Sequence, residues 1–192
     1  MTRIASPKIL PLIVERWSPR AFDGSAMPQE DLDAIFEAGG LAASAYNYQP
    51  WRFVYAHKGD AHFDAFLSAL VPFNQSWAKD AGVLVFVVSD EFMRSDAGNN
   101  PNHSHSFDAG AAWASAALQA QHMGYHTHGM TGVDFAKAAE VLNVPEGFRV
   151  EMAFVIGKQG DKSQLPEMLQ EREVMSDRKP VADITLAGPF KA

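Results

Sequence analysis

Five polar motifs along the chain have residue types and spacings suited to holding an anion or a flat heterocycle. The first is Glu15-Arg-Trp-Ser-Pro-Arg-Ala-Phe, in which Arg16 and Arg20 bracket Trp17 and Ser18. Two guanidiniums and a hydroxyl in a short turn can hold a phosphate or a carbonyl-rich ring by charge-assisted hydrogen bonds. The same pair also fits two solvated surface arginines. The second motif is Ala43-Ser-Ala-Tyr-Asn-Tyr-Gln-Pro-Trp. Asn47 and Gln49 are amides that donate and accept together, which suits a ring with alternating donors and acceptors. An ordinary helix-to-strand connection, with Ala43 and Ser44 leading into a turn, is the other reading. Asn74, in Pro72-Phe-Asn-Gln-Ser-Trp, either bonds a ligand or caps a turn. His126-Thr-His-Gly-Met-Thr-Gly presents Gly129, Met130, Thr131 and Gly132, and its glycines allow a backbone to approach a flat ligand. Near the end, Asp177-Arg-Lys-Pro offers Arg178 and Lys179 as anion ligands, or as a solvated basic tail.

Histidine suggests a competing chemistry. His103 and His105 with Asp108 form one group, and His122, His126 and His128 a second. Neutral imidazoles and a carboxylate can bind zinc or iron. Neither spacing matches a metalloenzyme signature such as HExxH, so no metal ligands are assigned.

The elements that must position these residues alternate in type. Pro28-Gln-Glu-Asp opens a helix, with proline in the first turn and acids at the positive dipole end. Leu32, Ile35, Phe36 and Gly39 continue it at helical spacing. Residues 51–56 read as a strand with Trp51, Phe53 and Tyr55 on one face. Phe63, Phe66, Leu67 and Leu70 mark a second helix. Val83-Leu-Val-Phe-Val-Val is a strand apolar on both faces, hence interior. From Asp108 an alanine-rich helix (Ala109, Ala112, Ala116, Ala120) runs to Gly124. Its small side chains fit either a dimer-facing helix or a core helix. Asp134 caps a short helix ending by Leu142, and residues 149–156 read as a strand. Residues 89–106 and 157–180 look irregular, and the first is long enough to be a functional loop. The order predicts an α+β sheet covered by helices.

Composition narrows the class. The chain has 192 residues, no cysteine, 16 basic and 23 acidic side chains, and a net charge of −7. The length predicts a single domain over residues 1–192. A cysteine nucleophile, thiolate metal site or disulfide framework is excluded. The acidic balance disfavours nucleic acid and anionic membrane as partners. No apolar stretch approaches a membrane span, and no secretory signal is expected at the start. The expected setting is the cytoplasm.

Taken in order, Arg-Trp-Ser-Pro-Arg-x-Phe, Asn-Tyr-Gln-Pro-Trp, Phe-Asn-Gln, Gly-Met-Thr-Gly-Val-Asp and Arg-Lys-Pro resemble the nitroreductase family of FMN-dependent oxidoreductases. The resemblance runs from about residue 13 to residue 184. It implies an α+β homodimer with a central, mainly antiparallel sheet, C-terminal exchange between subunits and FMN at the subunit interface. By matching positions, Arg16, Trp17, Ser18 and Arg20 would hold the phosphate, ribityl chain and pyrimidine edge. Ala43, Ser44, Asn47 and Gln49 would come from the partner subunit. Asn74 and the stretch Gly129, Met130, Thr131, Gly132 would meet the ring near N5, and Arg178 the phosphate. Arg20 stands where many members have lysine. Ala43 replaces a common proline, Thr131 a common acid, and Ser176 a common basic residue. The implied activity is ping-pong: NADH or NADPH reduces the flavin at N5, and a small oxidised acceptor, a nitroaromatic or quinone, takes the electrons. The cofactor carries such chemistry, so no protein nucleophile or triad is expected. A non-catalytic FMN-binding or storage protein remains the alternative.

Overall fold

One strand, apolar on both faces, dictates two layers of helix around the sheet that contains it. The computed structural model describes Arg3 and residues 5–190; residues 1, 2, 4, 191 and 192, which the expected domain also spans, lie outside the described residues. In chain order the elements begin with α1 (Pro11–Glu15), α2 (Gln29–Gly40), β1 (Trp51–His57), α3 (Phe63–Ser68) and α4 (Pro72–Ala78). They continue with β2 (Val83–Asp90), β3 (Phe92–Ser95), β4 (Gly98–Pro101) and α5 (His105–His122). The last are β5 (His126–Met130), α6 (Phe135–Val141), β6 (Phe148–Gly157) and α7 (Glu167–Gln170).

The main sheet runs β1-β2-β6-β5 and every pairing is antiparallel. All eight residues of β2 are buried because both faces are covered. Leu84, Phe86 and Val88 face a core built with Phe63, Phe66, Trp77, Leu165 and Leu169. Val83, Val85 and Val87 face the other core, with Leu32, Ile35 and the alanines of α5. That placement makes α5 a core helix: Ala109, Ala112, Ala116 and Ala120 are buried within the chain. Its small residues let α2 approach closely, and a β-carbon at Gly39 would lie 3.2 Å from the Ala112 carbonyl oxygen.

The strand at 51–57 places Phe53 and Tyr55 on α2, with ring centroids 5.0 and 5.2 Å from that of Phe36. Asp134 caps α6 as expected, its Oδ1 accepting from the Lys137 amide at 3.0 Å. Among the described residues no helix is long and apolar enough to cross a membrane.

Four expectations need correction. Residues 89–106 are not an open loop: β3 and β4 form a hairpin there, and α5 starts at His105 instead of Asp108. The hairpin is held by polar groups and not by apolar alternation. Asp90 accepts from Arg94 Nε at 2.9 Å and from the Tyr48 hydroxyl at 3.0 Å. Residues 72–78 form a helix begun by Pro72, not a turn. Residues 126–130, to which the sequence assigns no element, form an edge strand paired to β6. Within 157–180, α7 and a short 3-10 turn (Lys162–Gln164) are ordered because Leu165 and Leu169 are buried in the core.

Candidate functional site

The segment after α1 runs extended through Arg16 to Arg20, and three distant parts of the chain close around it. Arg3 donates from Nη1 to the Arg16 carbonyl at 2.7 Å and from Nε to the Ser176 carbonyl at 3.0 Å, joining the start of the chain to its tail. Glu173 is buried, and its Oε1 accepts from the amides of Arg20 and Ala21 at 2.7 and 2.9 Å. His128, from β5, donates from Nδ1 to the Pro19 carbonyl at 2.8 Å; a carbonyl only accepts, so Nδ1 carries the proton.

These contacts enclose a cavity of about 240 Å³. Trp17, Ser18, Arg20 and His128 line one part of it, and Arg3, Arg172, Val174, Ser176 and Arg178 the rest. Among the described residues no carboxylate lines it. Arg16 borders it, with Nη1 3.4 Å from the Ser18 hydroxyl. Burial, then the charges of Arg3 and Arg178, lower the Arg16 pKa below the usual arginine value. Arg20 is lowered by burial against the opposing charge of Glu173, and its Nε is buried with no hydrogen-bond partner. Like charges gathered around a concavity, one with a partnerless buried donor, are arranged for an anion.

His128 also shows how this pocket departs from water. Its ring packs against Trp77, with centroids 4.5 Å apart. Burial, reinforced by Arg20 and Arg16 and opposed by the Pro19 bond, pushes its pKa down to about 4. The unfolded ring takes a proton below about pH 6.5, which the folded protein refuses until about pH 4. The unfolded state therefore binds more protons in that window, and stability falls as the pH drops through it. We expect a loss of about 2 kcal/mol between about pH 7 and pH 5 from this residue. Denaturant midpoints at both pH values check this: His128→Asn, which keeps a donor for Pro19, should flatten the dependence. Equal losses in both proteins would remove His128 as its cause.

The residues of the second motif do not line the cavity. Ala43, Asn47 and Gln49 are exposed in a turn docked on α5, where the Ala45 amide donates to Asp108 Oδ2 at 3.1 Å. Ser44 Oγ accepts from the Gln49 amide at 3.0 Å, and Gln49 Nε2 donates to the Asn47 carbonyl at 3.1 Å. Tyr46, Asn47 and Gln49 have φ of 55°, 54° and 54°. Side-chain-bearing residues in that left-handed region cost on the order of 1 kcal/mol or more each, and such strain clusters at functional sites. Tyr46 is held 91% exposed by it.

The third group is separate again. Asn74 is buried on α4 and donates from Nδ2 to the Gly132 carbonyl at 3.1 Å. A β-carbon at Gly132 would lie 2.5 Å from that nitrogen, and one at Gly129 2.7 Å from Met152 Cε. The space beside both glycines is thus taken by the chain's own side chains. Met130 is buried and Thr131 exposed.

So the structure joins Trp17, Ser18, Arg20 and Arg178 in one cavity and pairs Asn74 with Gly132. The sequence reading missed Arg3, Arg172, Glu173 and the Pro19 contact of His128. The histidine groups do not converge: among the described residues no three His, Asp or Glu side chains gather as metal ligands. His105 instead joins a polar network, its Nδ1 2.8 Å from Ser89 Oγ and 3.2 Å from Glu151 Oε1.

Comparison with known proteins gives consistent matches. The sequence model of the nitroreductase family matches residues 13–71 and 56–158. A crystal structure described as an oxidoreductase containing FMN is 50% identical, superposes with a TM-score of 0.96, and is matched over 98% of this chain and 96% of that one. A nitroreductase family protein from Streptococcus pneumoniae shares the fold at 20% identity, with a TM-score of 0.73 over 92% of this chain and 98% of that one. An uncharacterised 15.4 kDa protein of Mycolicibacterium smegmatis is 30% identical over 131 residues, 64% of this chain and 84% of its own.

Proposed function

The chain belongs to the nitroreductase family, and from that premise we propose that it is an FMN-dependent oxidoreductase working as a cytoplasmic homodimer. The observation that carries this reading is the arginine-lined cavity between Trp17 and Arg178, where among the described residues no acid lines the wall and Arg20 Nε lies buried without a partner. Those groups suit a ligand with a phosphate at one end and ring carbonyls at the other. The FMN-containing relative at 50% identity supports the same ligand.

Arg16, Ser18 and Arg178 would hold the phosphate, and Trp17 would pack beside the chain leading to the ring. Arg20 would place positive charge at the pyrimidine edge, which favours uptake of electrons there. Asn74 and the backbone of Gly129, Met130, Thr131 and Gly132 would border the ring. Ala43, Ser44, Asn47 and Gln49 would reach it from the partner subunit, the use we assign to their strained, exposed turn. Bound FMN would supply the redox chemistry, accepting a hydride from NADH or NADPH and passing electrons to a small oxidised acceptor, a nitroaromatic or quinone, in a ping-pong sequence. The residues bind, orient and exclude water; none acts as a nucleophile.

Exposed apolar side chains support a dimer. Leu10 just before α1, Ile13 within it, and Val181, Ile184, Leu186 and Phe190 on the tail present apolar surface to solvent. Exposed apolar residues on these two segments are what a subunit interface would cover.

The test begins with the colour of the purified protein. We expect a flavin spectrum, release of FMN at about one per chain, and a dimer by sedimentation. Parallel double-reciprocal lines with NADH or NADPH and a quinone are expected of ping-pong turnover. A colourless protein that refuses added FMN would overturn the proposal, and a flavin-loaded protein without turnover would leave a storage protein.

A further inference from the structure

The cavity gathers more positive charge than one phosphate ester balances. Arg3, Arg20, Arg172 and Arg178 line it and Arg16 borders it. Glu173 and Asp177 stand nearby, and a phosphate monoester brings a charge of about −2. One cation is left over.

Arg172 is that cation. Arg3 is engaged with the carbonyls of Val14, Arg16 and Ser176, and Arg178 with those of Ser176 and Asp177. Among the described residues the Arg172 guanidinium has neither a hydrogen-bond acceptor nor an ion-pair partner. It sits over the ring of Phe73, 6.0 Å from the centroid, and its charge bears on Arg20. Phe73 is itself 41% exposed and adjoins Asn74, the buried amide bonded to Gly132.

The backbone holds Arg172 there. The next residue, Glu173, is clasped by the amides of Arg20 and Ala21. A solvated tail arginine has no such anchor. An exposed aromatic ring beside an unpaired guanidinium on an anchored stretch of chain offers stacking and charge together, the combination that grips a planar molecule with an anionic substituent.

We propose that Arg172 and Phe73 form a subsite for an anionic group, a phosphate or carboxylate, on the molecule that exchanges electrons with the bound cofactor. This rests on the FMN-dependent reading above. The group belongs either to the donor, as the 2′-phosphate that distinguishes NADPH from NADH, or to the acceptor, as a ring carboxylate.

The test uses the FMN-loaded protein and its Arg172→Gln and Arg172→Lys variants. Turnover is compared with NADPH against NADH, and with 4-nitrobenzoate against 4-nitrobenzamide. Binding is read without turnover, by calorimetry with adenosine 2′,5′-bisphosphate against 5′-AMP and with benzoate against benzamide. Loss of a charge-assisted contact predicts a kcat/KM about 10- to 100-fold lower for one charged partner, carried by KM. Its less charged counterpart should stay within about twofold, and the matching probe should weaken by the same factor. Lysine should restore part of the loss. The pair that responds identifies the source of the anion. No charge preference in either pair, with FMN content unchanged, would overturn this inference alone. Failure to load FMN in the unaltered protein would instead overturn the cofactor reading on which it rests.

Discussion

Replacing Arg16 with alanine should raise the dissociation constant for FMN about 10- to 100-fold, the effect of losing one or two charge-assisted hydrogen bonds. The argument separates binding from folding. In the protein without ligand, Arg16 is half-buried beside Arg3 and Arg178, and burial and both charges weigh against its protonated form. Its charge is therefore a cost until an anion arrives. The ligand-free Arg16→Ala protein should melt at or above the unaltered Tm, while flavin loading collapses. Fluorescence titration with FMN and a thermal melt of the stripped protein measure the two halves. Added salt should weaken FMN binding to the unaltered protein more than to the variant, since the lost contact is the screened one. A normal FMN affinity in Arg16→Ala would remove this residue from the phosphate role.

The second large effect concerns a residue that need not touch the cofactor. Glu173→Ala should lower stability by about 3 kcal/mol, since two amides near the cavity lose their shared side-chain acceptor. The Ala21 amide is buried and has no water to turn to. Glu173→Gln keeps a neutral acceptor and should lose about half as much. Urea unfolding gives the energies, and hydrogen exchange at the Arg20 and Ala21 amides locates them. The clasp also ties residues 171–178 to the body, so Glu173→Ala should loosen that segment, speed tryptic cleavage after the already exposed Arg172 and weaken FMN binding. Unchanged cleavage and exchange would show that the tail is held without this clasp, by Leu165, Leu169 and the Arg3 bond to the Ser176 carbonyl.

The sequence discloses elements where packing imposes a period. The run at 83–88 is legible as an interior strand because two cores demand apolar residues on both faces. The helices at 29–40 and 135–141 carry apolar spacing and terminal signals. The hairpin at 92–101 has no such signature, since its exposed Gly98-Asn-Asn-Pro arm depends on pairing and on the Asp90 contacts. His126–Met130 likewise becomes a strand only because β6 lies beside it. At the site, Arg16, Ser18 and Arg20 are legible because they lie within five residues. Glu173 meets Arg20 across 153 positions, and nothing near it in the chain announces the contact. Arg3 and Arg172 are illegible for the same reason: a cavity is assembled by closure of the chain, while motifs are read along it.

The left-handed turn at Tyr46, Asn47 and Gln49 has a consequence for how such proteins diverge. Glycine adopts that backbone freely, so drift under selection for folding alone would replace Tyr46 and Gln49 with glycine and gain about 1 kcal/mol at each. Side chains persist there only while something selects for them. If the turn reaches the partner subunit's site as proposed, glycine at both positions in a relative would mark a lineage that has lost that use, readable before any assay. Directed evolution for heat resistance should find the same substitutions early, and its most stable clones should be the ones whose activity has gone.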